Sequence, residues 1–321
     1  MLADIKSVQV KHKISFLYLE KADIEVENSV LVIYHEGMRT VLPIAQLCTL
    51  MLGPGTKITH EALCEIMENH TSVCVVSNKS HSIYGHIFDD DRSSANLLRQ
   101  ISYHEDANKH LLVVKKMYQK RFPEMDTSSK TLQQLRGMEG IRVASLYKHF
   151  AAEYDIDWHG RNNGHGSWDS MDTPNKLLSI GNQFLYAVCD AVISELGFSP
   201  AIGFIHTGVM GSFLFDVADL YKADIVIPAA FEQAAQDNDS AVDLRKTLRG
   251  KIVKYGLLQG IINDLYEMFD LKKAPEIFTS DALWDNLIDF TEASKNYGKK
   301  DGMDLDIDAL FANSAEAEEL P

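Results

Sequence analysis

The period of the apolar residues changes once along this 321-residue chain, and that change restricts what it can fold into. Between 12 and 88 the runs KISFLYL, ADIEVE, SVLVIYH, MRTVLPI, CTLML, VCVVS and SIYGHIF are short and separated by the turn signals EN, HEG and GPGT, which is the pattern of strands. One helix, THEALCEIMENH, interrupts them, with Thr59 placed to cap its start. After DDDRSS, at 89–94, apolar residues recur at helical spacing to about 297. The pattern predicts an α+β protein with a small N-terminal β-rich domain at 1–90, a larger all-α domain at 91–300 and a flexible acidic tail at 301–321. Helices are expected near 93–106, 108–122, 129–154, 173–196, 213–235, 240–254, 256–270 and 280–297, the fifth of them bent before Pro228.

Charge matters here through its distribution. The net charge of -15 argues against a polyanionic partner, because phosphate binding draws on Lys and Arg. Yet the tail alone carries Asp301, Asp304, Asp306, Asp308, Glu316, Glu318 and Glu319 without one basic residue. Two stretches elsewhere, KHLLVVKKMYQKR at 109–121 and RKTLRGKIVK at 245–254, hold five Lys or Arg each and no acid. They are either solvated helix faces or contacts for a phosphate backbone. Cys48, Cys64, Cys74 and Cys189 are widely spaced with no CxxC, so they read as reduced core residues. No apolar run approaches the roughly 18–20 residues of a membrane span, and the N-terminus lacks the order of a signal peptide. A cytoplasmic protein with no membrane partner is expected.

Three segments carry residues suited to chemistry. In LRGMEGIRVASLYKHF, Gly137 and Gly140 flank Glu139 within a helical pattern; each glycine disfavours a helix by ~1 kcal/mol relative to alanine, which suggests that something approaches the bare backbone. Arg142 falls one turn after Glu139, so a plain i,i+3 ion pair is the other reading. In GFIHTGVMGSFLFDVADLYKAD, Asp216, Asp219 and Lys222 follow at one-turn intervals and His206 sits on the preceding turn. Two carboxylates and an imidazole suit Mg²⁺ or Mn²⁺, and the nitrogen donor tilts the preference toward Mn²⁺. Taken singly, Asp216 could equally cap or pair locally, and His206 could be a satisfied core histidine. The loop WHGRNNGHGSWDSMD, at 158–172, has the length and composition of a binding loop.

The trio LRGMEGIRV, PAIGFIHTG and FDVADLYKAD, in that order behind a β domain, resembles the Cas1 integrases of CRISPR adaptation in their type I-E branch. The similarity runs from FLYLEKADIEV and LGPGTKITHEAL through LVVKKMYQKRF to AVDLRKTLRGKI and fades in the tail. The resemblance implies that Glu139, His206 and Asp219 hold the metal, that Asp216 supports them, and that Tyr186 lies near the reacting phosphate. Arg161, Lys222, Arg245 and Arg249 match positions that face DNA, and Arg142 is placed with them. It further implies a homodimer joined through the β domains, with two dimers bridged by a dimer of the small protein Cas2. Acting on double-stranded DNA, such an assembly joins the 3′-hydroxyls of a captured protospacer duplex to a CRISPR leader-repeat by transesterification. A structure-selective endonuclease that uses water, or a DNA-binding scaffold without activity, would share most of these residues.

The sequence departs from that pattern in places. Lys21 stands at the end of FLYLEK where a type I-E relative has a duplex-splaying tyrosine, with Tyr18 earlier on the strand, and Val209 follows HTG where lysine is frequent. In the tail, DLDIDALF is expected to dock on the partner protein through Leu305, Ile307 and Leu310.

Overall fold

The structure, a computed structural model, describes residues 14–275 apart from 29, 36, 43, 45–46, 77–82, 88–92, 125, 128, 163–169 and 273. The chain forms two compact units, with the strands in one and residues 93–274 in the other. The fold is α+β. The helix expected at 280–297, the DLDIDALF segment and the centre of the 158–172 loop lie outside the described residues.

The strand unit contains β1 (Ile14–Leu19), β2 (Ala22–Glu27), β3 (Val30–His35), β4 (Met38–Val41), β5 (Leu47–Leu52), β6 (Lys57–Ile58), β7 (Ser72–Val76) and β8 (Ile83–Ile87), with α1 (His60–Glu68) between β6 and β7. One sheet runs β1-β5-β7-β8 and the other β4-β3-β2-β6. In the first, β1, β5 and β7 are parallel, so they need a crossover connection, and α1 supplies the one between β5 and β7. Thr59 caps α1 as the sequence suggested, its hydroxyl accepting from the Ala62 N–H at 3.2 Å. Leu17, Leu19, Ile24, Leu31, Ile33, Leu50, Ile66 and Val73 from both sheets and α1 make one buried cluster. Tyr18 belongs to the buried set too, at 4% exposure, and is therefore not presented as a wedge. Lys21 takes a left-handed conformation at the corner between β1 and β2, φ 54°.

The helical unit contains α2 (Ala95–Glu105), α3 (Ala107–Arg121), α4 (Leu132–Glu153), α5 (Thr173–Glu195), α6 (Ser212–Ala218), α7 (Lys222–Ala234), α8 (Ala241–Lys254) and α9 (Leu257–Met268). Helix α5 is the hub and packs against α6, α7, α8 and α9. It is capped by Asp172, whose side chain accepts from the Asn175 N–H at 2.8 Å, with Pro174 in its first turn. At Gly181 a Cβ would lie 2.7 Å from Val226 Cγ1, so the bare α-carbon lets α5 and α7 approach closely. Contrary to the sequence reading, this chain does contain a helix long and apolar enough to cross a membrane, and it is α5. Its most apolar window is 72% buried within the unit, which is the behaviour of a core helix.

Two other expectations are corrected. The single bent helix at 213–235 is two helices, and the break falls at 219–221 rather than ahead of Pro228, which sits inside α7. The cause is tertiary: the Tyr221 hydroxyl bonds to the buried Asp264 carboxylate on α9, and Lys120 lies over its ring. That anchor ends α6 with the short-range bonds Leu220 N–H to Val217 O and Tyr221 N–H to Ala218 O. The break carries Asp219 onto a turn of its own. Among the cysteines, Cys74 and Cys189 are buried as expected, but Cys64 is exposed.

Candidate active site

Asp216 explains how a carboxylate survives inside α6. It is completely buried, a position that demands full hydrogen bonding, and the loop before the helix supplies it. Its Oδ2 accepts from the Phe204 and Ile205 N–H groups at 2.6 and 3.0 Å, and its Oδ1 accepts from the His206 N–H at 2.8 Å. The fourth contact is His206 Nδ1, 2.7 Å from Oδ1. The carbonyls of the same loop are held as well, Phe204 O by His110 Nε2 at 2.9 Å and Ile205 O by Arg136 Nη2 at 2.6 Å. Every bond needed to fix the imidazole is thus made by neighbours from α3, α4 and α6.

This arrangement selects a tautomer. With Nδ1–H donating to Asp216, Nε2 keeps its lone pair, the form in which histidine binds a metal and is oriented by a carboxylate behind it. Nε2 faces Asp219, 3.9 Å from its Oδ2. The Asp216 hydrogen bond raises His206 above the ordinary histidine range, with burial acting against it, so protons and cations compete for the same nitrogen. For Asp219, burial favours the neutral acid, but Lys222 and Arg121 outweigh it and hold the carboxyl below its usual range. Lys222 Nζ is 2.5 Å from Asp219 Oδ1 and 4.7 Å from the centre of the Tyr186 ring. Burial alone would lower Lys222, but Asp219 and Tyr186 reverse this and raise it, keeping it cationic.

Glu139 reaches the same place from α4. Its carboxylate accepts from the Tyr118 hydroxyl at 3.0 Å and is ion-paired with Arg121, both on α3. Arg142 does not pair with Glu139: its guanidinium bonds to the Arg121 carbonyl and covers the Phe122 ring. Nor do Gly137 and Gly140 admit a neighbouring part of the described chain, since a Cβ at either would meet nothing within 4 Å. Burial first, and the Glu139 charge second, push the Tyr118 hydroxyl far up, so it stays a donor.

A cavity of about 760 Å³ opens beside these groups, lined among others by Arg121, Glu139, Arg142, Tyr147, Arg161, Tyr186, Asp219 and Lys222. Arg161 is fastened to the start of α5, with Nη1 2.8 Å from Asn175 Oδ1 and Nη2 3.0 Å from Ser179 Oγ. Tyr186 meets Phe215 edge to face at 5.1 Å. Of the residues singled out from the sequence, Glu139, Asp219, Tyr186, Arg142, Arg161 and Lys222 line the cavity, His206 stands beside Asp219, and Asp216 is the buried support. Arg245 and Arg249 lie on α8, half-buried and outside the cavity lining. Sequence reasoning missed Tyr118, Arg136 and Arg121; the last belongs to a basic stretch that read as surface, yet its side chain is only 4% exposed.

The donor set of Glu139, Asp219 and His206 Nε2 matches a divalent cation of the Mg²⁺ or Mn²⁺ kind. Among the described residues no three acidic, His or Cys side chains are drawn together closely enough to hold one, and Arg121 pairs with Glu139 and lies 3.5 Å from Asp219 Oδ2.

Gly203 has a demonstrable steric role. A Cβ there would overlap the His206 carbonyl oxygen and come within 2.8 Å of the Ser212 carbonyl carbon, both backbone atoms that cannot swing away. Gly203→Ala is expected to lower stability by about 2–4 kcal/mol and to displace His206. Urea unfolding checks this, and an unchanged midpoint would show that the loop relaxes freely.

Comparisons with known proteins bear on the chain's family and fold. A family profile described as "CRISPR associated protein Cas1" matches residues 16–130 and 117–262. A relative from Thermus thermophilus, "CRISPR-associated endonuclease Cas1 2", is 41% identical over 265 residues, 82% of this chain and 81% of its own length. The solved "TtCas1-DNA complex" superposes with a TM-score of 0.70 at 39% identity, covering 81% of this chain and 93% of that one. A "Cas6-RT-Cas1--Cas2 complex" shares the fold, with a TM-score of 0.60 at 16% identity over 82% of this chain and 35% of that one.

Proposed function

This chain belongs to the Cas1 family, and from that premise we propose that it is a metal-dependent DNA integrase of CRISPR adaptation. The observation that carries the reading is convergence. Glu139 from α4 and Asp219 from the α6–α7 turn line one cavity and both face Arg121, His206 Nε2 on its braced loop faces Asp219, and the cavity wall also carries Arg142, Arg161 and Lys222. Carboxylates concentrated among fixed cations suit a phosphodiester handled through a divalent ion, with Mg²⁺ or Mn²⁺ as the candidates and the imidazole favouring Mn²⁺.

In the proposed reaction the 3′-hydroxyl of a captured duplex attacks a phosphorus at the border of a CRISPR repeat. A new P–O3′ bond forms as the old one breaks, the attacking hydroxyl gives up its proton and the displaced repeat 3′-oxygen takes one up, and the number of phosphodiesters is conserved. No nucleotide cofactor is needed. When bound, the metal would neutralise the non-bridging oxygens and stabilise the attacking and leaving oxygens. The protein's own groups do the rest. Arg161 and Lys222, fixed by α5 and by Asp219, hold phosphates in place without reading bases. Tyr186, steadied by Phe215 and Lys222, faces the reacting centre. Asp216 fixes the His206 tautomer.

The partner set is a double-stranded protospacer with 3′ ends, the leader-repeat, a second copy of the chain joined through the strand unit, and a Cas2 dimer bridging two such pairs. The description of relatives as endonucleases favours one other reading, in which water replaces the 3′-hydroxyl in the same site. One assay separates them. The full chain, Cas2, a labelled short duplex and a supercoiled leader-repeat plasmid are combined with Mn²⁺ or Mg²⁺. Label joined to the plasmid at the repeat border, only with metal present, is the expected result. Cut plasmid with no joined label would assign the site to hydrolysis, and binding with neither product would leave a scaffold.

A further inference from the structure

Arg121 closes α3 and sends its guanidinium into the centre of the site. Its Nη1 is ion-paired with Glu139 Oε1, while Nη2 lies 3.5 Å from Asp219 Oδ2 and 3.4 Å from the Asp216 carbonyl oxygen. The side chain is 4% exposed, and its Nε has no hydrogen-bond partner among the described residues. A buried guanidinium with an unsatisfied N–H is not there for the quality of its hydrogen bonding. It is there for charge. Without a cation between them, Glu139 and Asp219 would present like charges across a poorly solvated gap, an arrangement that protonates one acid or pushes both apart. Lys222 already neutralises Asp219 from the Oδ1 side, so the Oδ2 side and Glu139 depend on Arg121.

We infer that Arg121 is the site's resident counter-cation: its guanidinium holds the place between Glu139 and Asp219 when no metal is bound, and a divalent ion must displace it. The inference rests on reading Glu139, His206 and Asp219 as the metal site. The carboxylate oxygens facing the guanidinium are Glu139 Oε1 and Asp219 Oδ2, and the latter also faces His206 Nε2. A divalent ion entering between the two acids meets the positive charge and the volume of the guanidinium, so metal affinity is the intrinsic affinity reduced by the competition with Arg121. A spacer of this kind keeps the two acids ionised and at working separation, and it makes metal loading weak enough to be reversible.

The test titrates Mn²⁺ into the full-length, DNA-free protein, following free Mn²⁺ by electron paramagnetic resonance and thermal stability in parallel. Arg121→Gln is expected to tighten Mn²⁺ binding about tenfold or more. In metal-free buffer its Tm should fall by about 5 °C or more, because two carboxylates lose their partner, and Mn²⁺ should restore more Tm to it than to the parent. Asp219→Asn, made in both backgrounds, identifies which binding belongs to this site. If Arg121→Gln binds Mn²⁺ equally or more weakly while Asp219→Asn still removes the binding, Arg121 organises the ligands and the inference is overturned with the metal reading intact. If neither the parent nor Arg121→Gln shows binding that Asp219→Asn abolishes, the metal reading falls and the inference with it. Should Arg121→Gln fail to fold, Arg121→Lys decides, since lysine keeps the charge but spans only one carboxylate. Tighter binding than the parent then supports displacement, and equal or weaker binding refutes it.

Discussion

Replacing Glu139, His206 or Asp219 by alanine is expected to lower metal-dependent strand joining by on the order of 10³-fold or more, while leaving affinity for the duplex within about threefold. The asymmetry follows from where the groups sit. Duplex affinity comes mainly from Lys and Arg contacts to phosphates, and none of the three substitutions removes a Lys or Arg. In the proposed site each removes one of three metal donors, so pairwise combinations should be little worse than the worst single variant, as happens when residues act as a unit. Stability complicates the alanines unequally. Glu139→Ala strands Arg121 and the Tyr118 hydroxyl, and Asp219→Ala strands Arg121 and Lys222. Glu139→Gln and Asp219→Asn keep the shapes and separate lost chemistry from lost folding. Joining rates in Mn²⁺, read beside a duplex-binding titration, decide the matter: a folded single variant retaining more than a tenth of the parent rate would remove that residue from the metal set.

The sequence disclosed the parts of this site that obey local rules. The one-turn spacing of Asp219 and Lys222 was plain in the sequence, and at that spacing the two pair at 2.5 Å; Thr59 marked the start of α1 because capping is a short-range interaction. The change of apolar period near 89–94 separated strands from helices for the same reason. What stayed hidden depends on contacts between segments far apart in the chain. The break at 219–221 exists because Tyr221 is drawn to Asp264, 43 residues later, and no propensity encodes that. Arg121 closes a run of five Lys or Arg and looks like surface, yet the carboxylates of α4 and the α6–α7 turn pull it inward. The i,i+3 rule paired Arg142 with Glu139 plausibly and wrongly, since two residues of α3 offered Glu139 better-aligned donors. Asp216 was legible as a supporting acid, but not the reason, which is three backbone N–H groups that only a folded loop can aim at it.

Asp216 therefore carries the second large effect, and it should act without touching the metal. Its carboxylate faces four donors, the Phe204, Ile205 and His206 N–H groups and His206 Nδ1, which together use the acceptor capacity of an ionised carboxyl. Asp216→Asn preserves the volume but turns an N–H₂ toward at least one donor, so two donors would confront each other in a fully buried space. A loss of about 2–4 kcal/mol is expected, corresponding to a fall in Tm of roughly 4–16 °C for a unit of this size. Asp216→Ala leaves all four donors without a partner and should lose more, about 3–5 kcal/mol. Because the deficit arises in the loop, added Mn²⁺ should recover little of it, unlike the deficit of Arg121→Gln. Joining should fall by about 10²-fold even at saturating Mn²⁺, since His206 loses the bond that fixes its tautomer and ring plane. Thermal melts with and without Mn²⁺ distinguish the outcomes. An Asp216→Asn protein as stable as the parent, with unchanged joining, would mean that packing against Phe215 orients His206 and that the buried carboxylate is dispensable.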